Sequence, residues 1–123
     1  MERLAQRVVG ARMPAPERLP DGVQLRSCRW IPAIGGRLSG MRGPAAAVTI
    51  GRYILVHPRV SMSRRLLRHE LAHVRQWQQR PVAFPVLYLW QHLRYGYTAN
   101  PYEVEARAAE RNETIHKQSE ATP

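Results

Sequence analysis

The sequence predicts an α+β fold. A small β-sheet is expected to pack on one helix, and two further helices follow that helix in the chain. Two short segments rich in β-branched and aliphatic residues, separated by a glycine and an arginine, precede a long amphipathic segment. Two more segments with helical patterns come after it. A chain of 123 residues is near the commonest size of one domain. We therefore expect a β-hairpin or a three-stranded sheet, followed by three helices.

The predicted sheet lies in the first half of the chain. Val23–Trp30 could form a first strand. Ala46–Ile50 and Tyr53–His57 contain enough β-branched and aliphatic residues to form two more. Gly51-Arg52 between them suits a two-residue turn in which the glycine has a positive φ. These two strands should therefore pair as an antiparallel hairpin.

Three helices are predicted after the hairpin. The first covers about Met62–Gln79, with a serine as its cap and a proline as its stop. The second covers Phe84–Tyr95, and residues 96–99 are predicted to form a loop. The third covers about Pro101–Thr114, with Asn100 as its N-cap and the proline as its first residue.

A helical projection separates the faces of the first predicted helix. One side carries arginines and should be exposed: Arg64, Arg68 and Arg75. The opposite side carries apolar residues and should be buried: Leu66, Leu67, Val74 and Trp77. His69 and His73 share one border of this apolar side, and Glu70 lies just across it. Side chains arranged this way can line a cleft beside a core.

The segment His69-Glu70-Leu71-Ala72-His73 is the strongest functional signal in the chain. Residues four apart on a helix project from the same face, so the two imidazoles can direct nitrogens at one point. Neutral imidazole is a standard zinc ligand at about 2.0–2.1 Å. Glu70 points to the side, where its carboxylate can take a proton from a water that the metal activates. The alternative is a helix with two ordinary histidines, but this composition yields only about 0.014 such patterns by chance.

A catalytic zinc usually has a third protein ligand. Five downstream residues are candidates: His92, Glu103, Glu105, Glu110 and Glu113. We favour Glu103, because the start of a helix holds its backbone well and the small Ala106 lets that helix approach closely. Glu103 could instead complete a capping box with Asn100. Glu105 is the alternative ligand, but it points about 200° away around the helix, so at most one of the two carboxylates should reach the metal.

Two histidines and a downstream glutamate resemble the ligand set of zinc peptidases of the gluzincin type. The segment E-V-E-A-R, Glu103–Arg107, is similar to the Glu-x-x-Ala-Asp signature of the HtpX-like and type I prenyl-protease endopeptidases. In that signature the first glutamate is the third metal ligand, and it corresponds to Glu103. Arg107 stands where those enzymes have an aspartate. The resemblance implies a minimal zincin-like domain with peptidase activity.

A second resemblance covers the hairpin and the first helix. AAAVTIGRYILVHP and LLRHELAHVRQ, which lie between Ala45 and Gln76, resemble the metallopeptidase-like core domain found beside extracellular contractile injection systems. There, too, a hairpin leads into a helix with the pattern L-L-x-H-E-L-x-H-V-x-Q. The second helix and the Asn100-Pro101 start look more like small bacterial metallopeptidase-like proteins. The second resemblance implies a zinc-binding module that is either enzymatic or accessory to such an apparatus.

Aromatic residues near the predicted site have two interpretations. Tyr95, Tyr97 and His92 could donate a hydrogen bond to a tetrahedral oxyanion, or they could only pack the loop. Three large residues are expected in the core: Trp77, Phe84 and Trp90. The face from Phe84 to Trp90 could instead dock on a membrane surface or on a protein partner. His57 is expected at the surface.

The positive charge of the chain permits a third kind of function, binding to an anionic partner. The net charge is +10, and residues 1–80 hold fifteen arginines against four acids, which permits binding to nucleic acid or to another anionic partner. No recognised nucleic-acid motif accompanies this charge, so nucleic-acid binding ranks third among the proposed functions.

Residues 1–20 are interpreted as an Arg/Pro-rich extension, residues 21–114 as the metallopeptidase-like domain and residues 115–123 as a polar tail. A cytoplasmic location is expected, with non-classical export or membrane association as alternatives, because neither a secretory signal nor an ordinary membrane span is apparent.

Two functional hypotheses lead the others. The first is a zinc-dependent peptidase that acts on a peptide or protein substrate, with Zn²⁺ held by His69, His73 and Glu103, and with Glu70 as the general base. The second is a zinc-stabilised binding or structural module without turnover, because 123 residues leave little material for a deep specificity cleft.

Overall fold

The computed structural model of the protein describes residues 10–32 and 46–121, with side chains as far as Arg111. Within this part of the chain, the residues up to Ser63 belong to one compact unit and those from Arg64 onward to another. The first unit contains a β-sheet, and the second contains long helices. The predicted α+β class is therefore confirmed.

The first unit is built on a mixed four-stranded sheet. Its strands are β1 (Ala11–Arg12), β2 (Gln24–Ser27), β3 (Ala47–Ile50) and β4 (Tyr53–Val56), in the order β1-β2-β4-β3. β3 and β4 form the predicted antiparallel hairpin, with Gly51 at φ 60° in the turn. β2 pairs with β4 in parallel and with β1 in antiparallel orientation. The sheet is thus larger than the predicted hairpin or three-stranded sheet.

The additional strand comes from the segment interpreted as an extension. β1 is only two residues long, so no alternation of apolar and polar residues marks it in the sequence. Gly10 precedes it at φ 87°, and a Cβ there would lie 1.7 Å from the carbonyl oxygen of Ser27, so only glycine fits this close approach. β2 is shorter than the predicted strand Val23–Trp30. β2 and β4 supply side chains that are almost fully buried: Leu25, Ile54, Leu55 and Val56.

In the described part of the second unit, three helices pack against one another. They are α1 (Arg64–Gln79), α2 (Ala83–Ala99) and α3 (Pro101–Ala121). Within α2 the regular helical geometry ends at Tyr95, as predicted, because Gly96 is non-helical at φ 78° and ψ 177°; residues 97–99, predicted as a loop, form a further helical turn. α3 extends beyond the predicted end at Thr114, because no glycine or proline interrupts it. Among the described residues, no helix has both the length and the hydrophobicity that a membrane span requires.

Burial along α1 and α2 departs from two predictions. Arg68 is only 6% exposed, although the helical projection predicts it on the exposed side. A projection places a residue only relative to its own helix and does not show what packs against that helix. Trp90, predicted in the core, is 61% exposed because α2 turns Phe84 toward the other helices instead. Leu67 and Val74 are buried as predicted.

His57 also differs from its prediction as a surface residue. It follows β4 and is only 8% exposed. Its Nδ1 atom accepts a hydrogen bond from the backbone N–H of Arg59 at 3.2 Å, which closes the turn after the strand.

Candidate metal centre

Three side chains from two helices converge at one point. His69 and His73 lie one turn apart on α1, and Glu103 lies in the first turn of α3. The Nε2 atom of His69 is 3.0 Å from Oε2 of Glu103, and the Nε2 atom of His73 is 3.1 Å from Oε1. The three residues are 8%, 7% and 3% exposed, in that order. The two oxygens of one carboxylate therefore each face a nitrogen of a different imidazole.

The start of α3 explains how Glu103 reaches the histidines. The side chain of Asn100 accepts a hydrogen bond from the backbone N–H of Tyr102 at 3.0 Å, as expected of an N-cap. The backbone N–H of Asn100 donates to the carbonyl of Tyr97, so Glu103 is not the acceptor that a capping box would require. Ala106 is fully buried, which allows α3 to pack closely on α1.

The second nitrogen of each imidazole has its own acceptor. Nδ1 of His69 is 3.1 Å from Glu110, which also accepts a hydrogen bond from Arg65 at 2.9 Å. Nδ1 of His73 is 2.8 Å from the side-chain oxygen of Gln76. These contacts fix the orientation of both rings, so that their Nε2 atoms remain directed at the shared carboxylate.

Tyr88 on α2 adds a further hydrogen bond to Glu103. Its hydroxyl donates to Oε1 of the carboxylate at 2.8 Å, and the side chain of Asn100 donates to the Tyr88 carbonyl at 3.2 Å. Burial and the negative charge of Glu103 raise the pKa of Tyr88 above its ordinary value. The hydroxyl therefore keeps its proton and remains a donor. Through these contacts, Glu103 connects all three helices.

The protonation of the histidines follows from these acceptors. Burial alone would lower the pKa of His69 and His73, but the hydrogen bonds to Glu103 and the charge of Glu70 outweigh it. The pKa of His69 is raised, and that of His73 is raised to about 9. Because both nitrogens of each ring face acceptors, the fold favours the doubly protonated form of each ring when no metal competes for Nε2.

The pKa of Glu103 shifts in the opposite direction, below its ordinary value. Burial would raise its pKa, but hydrogen bonds from His69 and His73 lower it well below its ordinary value. The carboxylate is therefore ionised, and its charge attracts either protons on the rings or a cation in their place.

The donor set fits a metal ion. One donor atom from each of His69, His73 and Glu103 lies within 4.8 Å of the others. Two imidazole nitrogens with one carboxylate form a ligand set that zinc takes in catalytic sites. The buried cluster could therefore hold a metal ion.

Glu70 and Tyr97 lie near this cluster without belonging to it. Glu70 is 4% exposed, and its charge contributes to the raised pKa of both histidines. Burial and the charges of Glu103 and Glu70 raise the pKa of Tyr97 to about 12, and its side chain forms a hydrogen bond with Glu103. Tyr97, one of the three predicted oxyanion donors, thus reaches the cluster.

The remaining candidates lie outside the cluster. Tyr95 is 48% exposed, and His92 is partly buried on α2. Glu105 is exposed, and its carboxylate lies 3.4 Å from the amide nitrogen of Gln76. The side chain of Glu113 is outside the described residues.

Two polar partners of the cluster, Gln76 and Tyr88, were missed by sequence reasoning, and Glu110, a candidate third ligand, contacts Nδ1 of His69 instead. Gln76 lies three residues after His73, and Glu110 lies seven after Glu103, so helical spacing puts each on the correct face. That signal could have identified both. Tyr88 has no such signal, because spacing alone does not fix how α2 is rotated about its axis.

Comparison with known proteins gives a match over part of the chain. The family model of the eCIS core domain matches residues 39–81, which is 43 of the 123 residues. The chain is thus similar over this segment to a metallopeptidase-like core domain of injection systems. The matched segment contains His69, Glu70 and His73 and ends before Glu103. No curated protein and no solved structure matches the chain.

Proposed function

We propose that the protein is a zinc-dependent peptidase, with His69, His73 and Glu103 as its metal ligands. The observation that carries this proposal is the convergence of two imidazole nitrogens and one carboxylate within 4.8 Å. The other nitrogen of each ring is engaged by a separate acceptor, as in most zinc sites with histidine ligands. The match to a metallopeptidase-like domain over residues 39–81 supports the same assignment. Peptides or proteins would be the substrates.

Hydrolysis would depend on two residues beside the ligands. A bound zinc ion would supply a Lewis acid that polarises the scissile carbonyl and lowers the pKa of the attacking water. Glu70 would accept a proton from that water and deliver it to the nitrogen of the leaving amine. The oxygen of the water bonds to the carbonyl carbon, and the C–N bond breaks. Tyr97, which keeps its proton because its pKa is about 12, would donate a hydrogen bond to the carbonyl oxygen.

The role of Glu70 can be tested on zinc-loaded protein. Glu70→Gln keeps the size of the side chain but removes its ability to accept a proton. We expect full zinc content in this variant and hydrolysis of a denatured protein slowed by at least about 100-fold. Glu105→Gln, exposed on α3, is the matched control and should retain activity. Equal rates for the wild type and Glu70→Gln would end the peptidase proposal.

A catalytically silent metal module is the second candidate, and burial favours it. His69, His73 and Glu103 are each less than 9% exposed, which leaves little access for a polypeptide beside the cluster. In such a module, zinc would stabilise the packing of α1 against α3 without turnover. The module could be accessory to an injection apparatus, since the matched core domain belongs to such systems.

The two candidates differ in activity and not in zinc content. One zinc per chain, a rise in melting temperature with zinc and no cleavage of a diverse peptide library would favour the silent module. Cleavage by the wild type that disappears in Glu70→Gln would favour the peptidase.

A further inference from the structure

An apolar stripe on one side of α2 faces solvent. It consists of Val82, which immediately precedes the helix, and of four residues within it: Val86, Leu89, Trp90 and Leu93. Their exposed fractions are 86%, 69%, 56%, 61% and 73%, in that order. At about 100° per residue, these positions fall within an arc of about 100° around the helix. The apolar stripe is therefore one continuous face of α2.

The opposite side of α2 is already used for packing. Phe84 is 4% exposed, and its ring centroid lies 5.2 Å from that of Trp77 and 5.1 Å from that of Tyr102. Tyr88, on the same side, donates its hydrogen bond to Glu103. The apolar stripe cannot turn inward without removing Phe84 and Tyr88 from these contacts, so it belongs to the surface of the folded helical unit.

The charges around the apolar stripe indicate the chemistry of its partner. No acidic residue occurs in the sequence between Glu70 and Glu103. Arg80 precedes the stripe and Arg94 follows it, and both are exposed. Residues 71–102 hold three arginines and no acidic residue, so this segment carries a net charge of +3. A second copy of this chain would bring like charges together at the borders of the stripe, whereas an anionic surface would attract them.

We propose that α2 lies on the surface of an anionic lipid bilayer, with the apolar stripe at the acyl boundary and Arg80 and Arg94 at the lipid phosphates. Helices that bind in the plane of a membrane combine an apolar face with basic residues beside it. Trp90 and Tyr95, both exposed, have the ring types that favour this depth. The binding requires no metal, so it goes beyond the proposed function and does not depend on it.

Vesicle binding by the full chain tests this proposal. We expect the protein to sediment with phosphatidylcholine vesicles that contain about a third phosphatidylglycerol, and to bind pure phosphatidylcholine at least about tenfold more weakly. Replacing both Leu89 and Leu93 by serine should weaken binding to the anionic vesicles by about tenfold or more. Val104→Ser on α3, where the residue is 47% exposed, is the matched control and should change binding by less than about twofold. Circular dichroism verifies that each variant keeps its helices.

Trp90 gives a direct reading of the contact. Its fluorescence should shift to the blue on addition of anionic vesicles, because the indole leaves water. Trp90→Phe should still bind but lose the shift, although Trp30 and Trp77 remain. Arg94→Gln should weaken binding by more than Arg111→Gln, an equal loss of charge on α3.

Three results would overturn the proposal. Equal binding to vesicles with and without phosphatidylglycerol would exclude anionic lipid as the specific partner. Equal weakening by Val104→Ser and by the Leu89/Leu93 double variant would mean that attraction is electrostatic only and that the stripe does not enter the bilayer. Failure to bind either vesicle, together with self-association that the double variant abolishes, would assign the stripe to a second copy of the chain.

Discussion

The interior of the helical unit buries ionisable side chains, whereas the outer face of α2 exposes apolar ones. Five ionisable residues in the described part of this unit are almost fully buried: Arg68, His69, Glu70, His73 and Glu103. On the outer face of α2, Val82, Val86 and Leu93 are each more than two thirds exposed. Folded proteins more often bury such apolar side chains and leave carboxylates in water.

The buried ionisable groups and the exposed apolar side chains differ in what offsets their free-energy cost. Buried ionisable groups are costly unless they are hydrogen-bonded, and here the two histidines and Tyr88 all bond to Glu103. Exposed apolar side chains gain their burial free energy only when a partner covers them. Hydrogen bonds within the fold thus stabilise the buried groups, whereas only a partner would stabilise the outer face of α2.

Removing the carboxylate of Glu103 should have the largest effect on the buried cluster. Glu103→Ala leaves His69 and His73 without the third donor and without its negative charge. We expect zinc affinity to fall by more than about a hundredfold, so that the purified variant lacks stoichiometric zinc. Glu105→Ala, on the same helix but exposed, should keep one zinc per chain. Metal analysis after desalting measures both, and full zinc in Glu103→Ala would refute its assignment as a ligand.

Substitutions on the two sides of α2 test whether its outer face is free of packing contacts. Phe84→Ala should lower the free energy of unfolding by about 3–5 kcal/mol, because a buried ring is replaced by a cavity. Leu93→Ala, at a residue 73% exposed, should change it by no more than about 0.5 kcal/mol. Urea denaturation measures both values. Similar losses for the two variants would mean that Leu93 is packed and that the outer face is not free.

The buried histidines should make the stability of metal-free protein depend on pH. The pKa of His73 is raised from 6.5 to about 9, so folding favours its protonated form. This stabilisation is fully present below pH 6.5 and is lost as the pH rises through about 9, by up to about 3 kcal/mol. Urea denaturation of chelator-treated protein across this range measures the loss, and His73→Gln should reduce it. Stability that stays constant or rises over the same range would contradict the raised pKa.

The contact behind His69 provides the smallest of these tests. Glu110→Gln keeps an acceptor near Nδ1 but removes the negative charge, so zinc affinity should fall by about tenfold. Arg65→Gln should have a weaker effect, because the Arg65 side chain is 77% exposed and its ion pair with Glu110 is screened by water. Competition with a chelating dye measures both affinities. An unchanged affinity in Glu110→Gln would mean that this contact does not orient the ring.

Local patterns predict most of the fold. The helical period identifies α1 to within two residues, and Asn100-Pro101 identifies the start of α3. The glycine at position 51 identifies the hairpin turn. β1 could not be found in this way, because two residues are too few to carry a pattern and their pairing with Arg26 and Ser27 is a tertiary contact.

Local patterns also predict the candidate metal cluster, but they do not predict how α2 is rotated about its axis. His69 and His73 are related by one helical turn, and Glu103 is identified by its position near the helix start and by the small Ala106. α2 is apolar around much of its circumference, so its sequence does not distinguish the inward Tyr88 from the outward Trp90. Only packing against the other helices decides between them.

X-ray absorption at the zinc edge of the loaded wild type tests the central assignment most directly. We predict one zinc per chain, with two imidazole nitrogens at about 2.0–2.1 Å and oxygen donors completing the first shell. The imidazole contribution should disappear in a variant in which both His69 and His73 are replaced by alanine. A first shell without imidazole in the wild type, or a wild type that retains no zinc after desalting, would contradict the assignment.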